Sequence, residues 1–153
     1  LDVTEEEWQK LIDTNLKSAF MMSQATARKM KDTGYGRIVN VASVGGLVAL
    51  RTGAVYGITK AGMTHMTRIL ALEWARYGIN VNAIAPWYVN TPLTEKLLAN
   101  KAYTDEVLSV TLIKRIEEPR DLVGATVFLC GDAASFITGQ VLAVDGGMTI
   151  YGF

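Results

Sequence analysis

The sequence has 153 residues, of which half are hydrophobic and a fifth are charged, and its 15 acidic residues balance 15 basic ones. A chain of this length forms one ordinary domain with a buried core. The charge balance gives no electrostatic reason to expect a nucleic acid or an anionic membrane as a partner. The single cysteine, Cys130, excludes an internal disulfide, fits a reducing compartment and is expected in the core. Since no apolar run approaches the roughly 18 residues of a membrane span and no signal peptide opens the chain, a soluble cytoplasmic domain is expected.

The first predicted element is one long helix over residues 2–32. Thr4 followed by Glu7 is typical of a capping box at a helix start. Residues at helical spacing predict one mostly apolar stripe along this helix, which consists of Trp8, Ile12, Ala19, Met22 and Thr26. Asn15 is an amide within this stripe, and glycines end the helix after residue 33.

Short β-rich segments alternate with helices after this point. The stretches RIVNVAS (37–43) and INVNAIAP (79–86) have the mostly apolar composition of buried strands, and GQVLAVDGG (139–147) contains a third strand. Between the first two strands, residues 54–77 form a helix that is apolar on two faces. Such a helix is expected to cover the sheet with one face and a second subunit with the other.

The stretch 87–118 is predicted to be irregular with short helices. Thr91 and Pro92 supply a cap and a first turn there, and Pro119 opens a helix that runs to about Cys130. The alternation of helices and strands predicts an α/β fold, with a parallel sheet and helices on its faces. Three strands amount to one half of a doubly wound domain.

The stretch YGITK places Tyr56 and Lys60 four residues apart, on one face of a helix. A free phenol with a pKa of about 10 exchanges protons poorly at neutral pH, and a neighbouring ammonium stabilises the phenolate. The pair could therefore serve as a general acid or base for a carbonyl or an alcohol. The same spacing is common in exposed helical pairs without a catalytic role, so the pair alone leaves both interpretations open.

Further polar positions lie where α/β proteins place functional groups. Ser43 ends the first strand, and its hydroxyl can donate to and accept from a substrate oxygen, although a serine at a strand end is also common without a functional role. Asn15 either satisfies backbone groups or orders a water. The loop APWYVNT (85–91) follows the second strand, and the hydroxyl of Thr91 there could bind an amide or a phosphate group of a ligand. His65 has no partner at ligand spacing and is expected at a helix surface, so no metal site is predicted.

Together these residues resemble the short-chain dehydrogenase/reductase family. The resemblance rests on Asn15, Ser43, the pair Tyr56-x-x-x-Lys60 and the runs NVNAIAP and ITGQVLAVDGG, and it covers the whole chain in order. The run APWYVNTPLTEKLL is most similar to the tropinone-reductase-like branch. The resemblance implies that residues 1–153 are the carboxyl-terminal catalytic part of one three-layer, Rossmann-type, doubly wound domain, whose amino-terminal cofactor-binding half is absent.

The resemblance also implies roles for individual residues. Tyr56 would exchange a proton with the substrate oxygen while a hydride moves to or from a nicotinamide. Lys60 would assist Tyr56 and hold the nicotinamide ribose, Ser43 would hold the substrate oxygen, and Asn15 would anchor a water in a proton relay. The implied site residues are Asn15, Ser43, Tyr56 and Lys60 for catalysis, Tyr56, Lys60, Pro86, Val89 and Thr91 for the cofactor, and Ser43, Trp87 and Tyr88 for the substrate.

Substrate, cofactor and assembly follow from the same resemblance. Residues 92–115 would form a mobile lid, whose apolar composition suits a hydrophobic ketone or secondary alcohol. The cofactor is expected to be NADP, with NAD as the alternative, although no glycine-rich phosphate turn occurs in the chain. Trp87 stands where the family usually has glycine, so the loop there is expected to differ. The helices at 5–31 and 55–77 would build a homodimer or homotetramer. The alternative function is a truncated, non-catalytic fragment that acts only as an oligomerisation module.

Overall fold

The computed structural model describes residues 1–51 and 53–151. The helices are α1 (Glu5–Leu11), α2 (Ser18–Met30), α3 (Ala54–Trp74), α4 (Glu95–Leu98), α5 (Lys101–Ser109) and α6 (Pro119–Cys130), and the strands are β1 (Gly36–Val41), β2 (Ile79–Pro86) and β3 (Val141–Val144). The bounds of β2 and the start of α3 agree with the predicted ones, because a glycine precedes each of these elements.

The three strands form one parallel sheet in the order β1-β2-β3. Gly36 of β1 lies opposite Ile79 of β2, and Ala83 of β2 lies opposite Val141 of β3. Because all strands run in one direction, the loops after β1 and β2 meet at the same edge of the sheet.

Helices cover both faces of this sheet. The larger core lies between the sheet and the helices α2 and α3, and it consists of Ala27, Ala42, Met63, Met66, Leu70, Ala71, Ile79, Val81 and Ala83. On the opposite face, Leu129 of α6 packs with Ile84 and Ala134. The predicted three-layer α/β class with a parallel sheet is therefore confirmed.

The long helix predicted over 2–32 is helical from residue 5 to residue 30, but a π-helical turn divides it into two α-helices. α1 begins as predicted, with Thr4 as its N-cap. Residues 12–17 then form the π turn, in which the N–H of Ser18 donates to the carbonyl oxygen of Asp13, five residues earlier. An α-helix would make this bond to the residue four positions earlier, so the turn contains one additional residue.

The additional residue also breaks the predicted apolar stripe. Met22, which the periodicity placed in the stripe, is 68% exposed. Ser23 and Ala27 are the buried residues of α2 instead. Periodicity counted from α1 therefore does not predict which face of α2 packs on the sheet.

The helix α3 has one buried and one exposed apolar face, as predicted. Met63, Met66 and Leu70 are buried against the sheet, whereas Ile69 and Leu72 on the other face are exposed. An apolar face without cover in a helix of this length is typical of a contact surface for another molecule.

The segment between β2 and α6 starts its first helix later than predicted. α4 begins at Glu95 rather than after Thr91, because a turn precedes it. The hydroxyl of Thr94 accepts the N–H of Thr91 at 3.1 Å, which closes this turn. The helix α6 begins at Pro119, as predicted.

The prediction that Cys130 lies in the core is wrong, because it is exposed at the end of α6. Leu129 is the residue that faces the sheet there. His65 lies on the exposed side of α3, as predicted. None of the helices in the described ranges is long and apolar enough to cross a membrane.

Candidate active site

The candidate site lies at the edge of the sheet where β1 and β2 end. Ser43 follows β1 and is 8% exposed. Its Oγ accepts the N–H of Gly45 at 3.1 Å, which fixes the start of the turn Val44–Gly46. A hydroxyl that accepts one bond retains its proton and a further lone pair, so Ser43 can still bind a substrate oxygen.

Lys60 lies one helical turn after Tyr56, and the end of β1 holds its ammonium in place. The Nζ of Lys60 donates to the carbonyl oxygen of Val41 at 2.9 Å and lies 5.8 Å from the centre of the Tyr56 ring. Burial lowers the pKa of Lys60 below its usual value. The bond to Val41 uses one of the three ammonium donors, so the cation is fixed beside Tyr56 with donors to spare.

Ser43 and Tyr56 face the same space. A Cβ atom placed on Gly45 would lie 3.5 Å from the Oγ of Ser43 and 3.5 Å from the Cε1 of Tyr56. Two side chains that reach one point can bind the same small group. The structure therefore brings Ser43, Tyr56 and Lys60 together.

Asn15 joins this group through a residue that sequence reasoning missed. The Nδ2 of Asn15 donates to the hydroxyl of Thr59 at 3.2 Å, and that hydroxyl donates to the carbonyl oxygen of Tyr56 at 2.7 Å. The π turn at residues 12–17 carries Asn15 towards α3. Thr59 lies inside YGITK, and threonines in helices often bond a carbonyl three or four residues earlier, so this signal was present in the sequence.

A cavity of about 490 Å³, here called the substrate cavity, lies between the loop after β2 and α5. Its walls are mostly apolar and aromatic, and include Leu50, Trp87, Tyr88, Tyr103 and Val107. This volume falls in the range of about 300–1,000 Å³ that is typical of small-molecule sites. Trp87 and Tyr88, both predicted to bind the substrate, pack edge to face with ring centres 4.6 Å apart.

The hydroxyls of two tyrosines place a polar group in this mostly apolar wall. The hydroxyls of Tyr88 and Tyr103 are hydrogen-bonded to each other, and their rings meet edge to face at 5.7 Å. Burial raises the pKa of Tyr88, the bond to Tyr103 raises it further, and Tyr56 adds a smaller increase. The substrate cavity borders the Ser43–Tyr56–Lys60 group through Leu50, which lines the cavity and whose Cδ1 would lie 3.4 Å from the Cβ atom placed on Gly45.

The residues predicted to bind only the cofactor lie along the sheet edge and are not among the described walls of the substrate cavity. Pro86 is buried at the end of β2. Val89 forms a parallel bridge with Glu117. The hydroxyl of Thr91 lies 3.2 Å from that of Thr94.

Sequence reasoning also missed three charged residues near the substrate cavity. Arg51 and Glu106 line it and form an ion pair. Glu117 accepts the backbone N–H of Trp87 at 2.9 Å, and burial raises the pKa of Glu117 to about 7. These contacts join residues far apart in the chain, so no local pattern signals them.

Known proteins match this chain along almost its whole length. A family model described as Enoyl-(Acyl carrier protein) reductase matches residues 1–149. A tropinone reductase homolog of Arabidopsis thaliana is 45% identical over 153 residues, which cover 100% of this chain and 58% of that protein. A putative short-chain alcohol dehydrogenase from Sinorhizobium meliloti is 40% identical with a TM-score of 0.94, over 99% of this chain and 60% of that one. A gluconate 5-dehydrogenase from Burkholderia cenocepacia, in complex with NADP and tartrate, is 36% identical with a TM-score of 0.96, over 99% and 59% of the two chains.

The chain thus spans little more than half the length of the proteins that it matches. The family model nevertheless covers almost all of the chain, and the matches include both the fold and the sequence. The chain therefore belongs to the short-chain dehydrogenase/reductase family.

Proposed function

We propose that the gene product transfers a hydride between a nicotinamide cofactor and a ketone or secondary alcohol, with Tyr56 as general acid or base. The observation that carries this proposal is the ammonium of Lys60, which is bonded to the Val41 carbonyl oxygen at 2.9 Å, beside the Tyr56 ring. A cation fixed in that place stabilises a phenolate. Tyr56 is therefore proposed as the group that exchanges a proton with the substrate oxygen.

In the reductive direction, the Tyr56 hydroxyl gives its proton to the substrate oxygen as negative charge develops there. The Ser43 hydroxyl donates to the same oxygen and holds it in place. The charge of Lys60 stabilises the phenolate that remains, and a water held by Asn15 returns a proton through Lys60. In the oxidative direction the same groups act in reverse.

The residues present fit the nicotinamide end of the cofactor, which supplies or accepts the hydride when it is bound. The Lys60 ammonium retains donors beyond its bond to Val41, and ribose hydroxyls can accept them. Pro86, Val89 and Thr91 are proposed to contact the nicotinamide and pyrophosphate side. NADP is proposed rather than NAD, because the similar gluconate 5-dehydrogenase is in complex with NADP.

The proposed substrate is a hydrophobic ketone or alcohol. The substrate cavity is lined mainly by apolar and aromatic side chains, which favour an apolar body. The Tyr88–Tyr103 hydroxyl pair offers one polar contact to it. Residues 92–115, which include α4 and α5, are proposed to act as a lid that excludes water when it closes.

The test is a screen of ketones and secondary alcohols with NADP(H) and NAD(H), on the full-length gene product. Tyr56→Phe is expected to lower kcat by about 10²–10⁴-fold, because it removes the proton that the substrate receives. Tyr35→Phe is the matched control, since Tyr35 is exposed beside α6 and bonds Asp132, and it should leave kcat unchanged. Wild-type kcat in Tyr56→Phe, or turnover of no compound with either nucleotide, would contradict the proposal.

We further propose that residues 1–153 are the catalytic part of one longer domain in a cytoplasmic protein. The support is that the chain spans about 60% of the solved structures it matches. The intact mass of the natural protein tests this. A mass well above 16.7 kDa supports the proposal, and a mass equal to that of the chain contradicts it.

Finally, we propose that the helices at 5–31 and 55–77 pair across subunits in a homodimer or homotetramer. The exposed apolar side chains on these helices include Phe20, Met21, Met22, Ile58, Ile69 and Leu72. Leu72→Lys should reduce the mass measured by light scattering, whereas Leu93→Lys, which changes an exposed leucine of the lid, should not. A monomeric wild type would overturn this proposal, and a stable oligomer without any turnover would favour the non-catalytic module.

A further inference from the structure

Glu117 holds the loop that carries the aromatic wall of the substrate cavity. Its N–H donates to the carbonyl oxygen of Tyr88 at 3.3 Å, and its own carbonyl oxygen accepts the N–H of Asn90 at 2.8 Å. The parallel bridge to Val89 lies between these two bonds. The backbone at Glu117 therefore pairs with the loop after β2 like a short strand.

The side chain of Glu117 extends this contact to Trp87. The Oε2 of Glu117 accepts the backbone N–H of Trp87 at 2.9 Å. The Oε1 is buried and has no hydrogen-bond partner among the described residues. Glu117 lines a second cavity of about 90 Å³, here called the acidic cavity, which is also lined by Arg115, Asp121 and Asp145.

The groups around the acidic cavity disfavour a negative charge on Glu117. Burial is the largest cause of its raised pKa. The hydrogen bond from the Trp87 amide lowers the pKa in part, and the carboxylates of Asp121 and Asp145 raise it further. Arg115 opposes this, but its guanidinium donates two bonds to Asp121, at 2.6 and 2.9 Å, so much of its charge is already compensated. A buried carboxylate oxygen without a donor is costly, whereas a protonated one can donate across the cavity.

Trp87 connects the acidic cavity with the substrate cavity, because it lines both. Its indole N–H donates to the Thr111 hydroxyl at 3.1 Å, and its ring packs against that of Tyr88. A shift of the Trp87 backbone on one side therefore moves the aromatic wall on the other side.

We propose that Glu117 is a positioning residue, whose uncharged carboxyl anchors the Trp87 amide and whose ionisation loosens the aromatic wall of the substrate cavity. The ionised carboxylate draws water to Oε1 and turns away from Asp121 and Asp145. The inference rests on the proposed function only because that function assigns a substrate to the cavity. The movement of the aromatic wall when Glu117 ionises does not depend on which substrate binds.

The first test is NMR of the ¹⁵N-labelled, deuterated full-length protein between pH 5.5 and 8.5. The amide signals of Trp87 and Tyr88 should titrate together with a midpoint near 7, and should be flat in Glu117→Gln. Asp121→Asn should lower the midpoint, because it removes a facing carboxylate and frees Arg115. A Trp87 amide that does not titrate, or one that titrates equally in Glu117→Gln, would overturn the proposal.

The second test is the pH dependence of substrate binding. If only protein with an uncharged Glu117 keeps the aromatic wall in place, about a tenth of the molecules can bind the substrate at pH 8. The apparent KM should therefore rise by up to about tenfold from pH 6 to pH 8. Glu117→Gln should keep a low KM at both values, and Glu117→Ala a high one at both. A KM in Glu117→Gln that changes with pH as in the wild type would refute the positioning role. Absence of any turnover would refute the proposed function, while the NMR result would still decide this inference.

Discussion

Gly46 provides the sharpest test of how the site is assembled. It ends the short turn after Ser43 and lies directly against the backbone of α3. A Cβ atom on Gly46 would lie 2.5 Å from the carbonyl oxygen and 2.6 Å from the carbonyl carbon of Lys60. Ordinary contacts begin near 3.4 Å, so in Gly46→Ala the turn and the helix must separate by about 1 Å.

This separation acts on both halves of the proposed catalytic group, Ser43 on one side and Tyr56 with Lys60 on the other. The turn carries Ser43, and α3 carries Tyr56 and Lys60, so their mutual geometry changes. Overpacking of this kind costs about 1–3 kcal/mol in the free energy of unfolding. A displacement of about 1 Å can lower kcat by about 100-fold.

Urea unfolding and turnover of an accepted ketone measure the two effects in the full-length protein. Gly124→Ala is the matched control, because Gly124 lies inside α6 and its added Cβ would have no described atom within 4 Å apart from its chain neighbours and the backbone of its own helix. That change should stabilise the fold by about 0.5–1 kcal/mol and leave kcat unchanged. If Gly46→Ala matched the wild type in both stability and kcat, the close approach of turn and helix would not be what sets the site geometry.

Three further predictions concern stability, all measured by urea unfolding. Gly78 and Gly34 both have a left-handed backbone, but their surroundings differ. A Cβ atom added to Gly78 would lie 2.0 Å from the carbonyl oxygen of Gly34, whereas a Cβ atom added to Gly34 would have no neighbouring atom within 4 Å. Gly78→Ala should therefore cost about 2–5 kcal/mol and Gly34→Ala only about 1–2 kcal/mol, and equal losses would contradict this. Thr59→Val should cost about 1–2 kcal/mol, because the Asn15 amide loses its acceptor; an unchanged midpoint would show that water replaces it. The pKa of Glu117 is raised in the folded protein to about 7, so the folded state keeps a proton that the unfolded chain loses above about pH 4.5. The free energy of unfolding should thus fall by about 1–2 kcal/mol between pH 4.5 and 7, after allowance for partial exposure, relative to Glu117→Gln; parallel curves would contradict it.

The sheet and its main helix could be predicted because their signals are local. The strand at 79–86 is apolar between a glycine and a proline, and α3 follows Gly53. The first helix could not be predicted in full, since the π turn at 12–17 changes the periodicity on which the assignment of its buried face depends.

The candidate site likewise has a part that could be predicted from the sequence and a part that could not. Ser43, Tyr56 and Lys60 form a pattern that is visible in the sequence, and the structure brings them together. The approach of Gly46 to Lys60 and the bond from Trp87 to Glu117 depend on tertiary packing. Neither contact has a spacing or composition that marks it in the chain.

The π turn before Asn15 has a consequence for how this gene can change. Loss of a single codon between residues 12 and 17 would remove the additional residue and leave a continuous α-helix, with every backbone bond still made. Such a deletion would rotate α1 by about 100° against α2 and move Asn15 away from Thr59. The fold is therefore expected to tolerate a change of length in this helix, whereas the proposed proton relay through Asn15 is not.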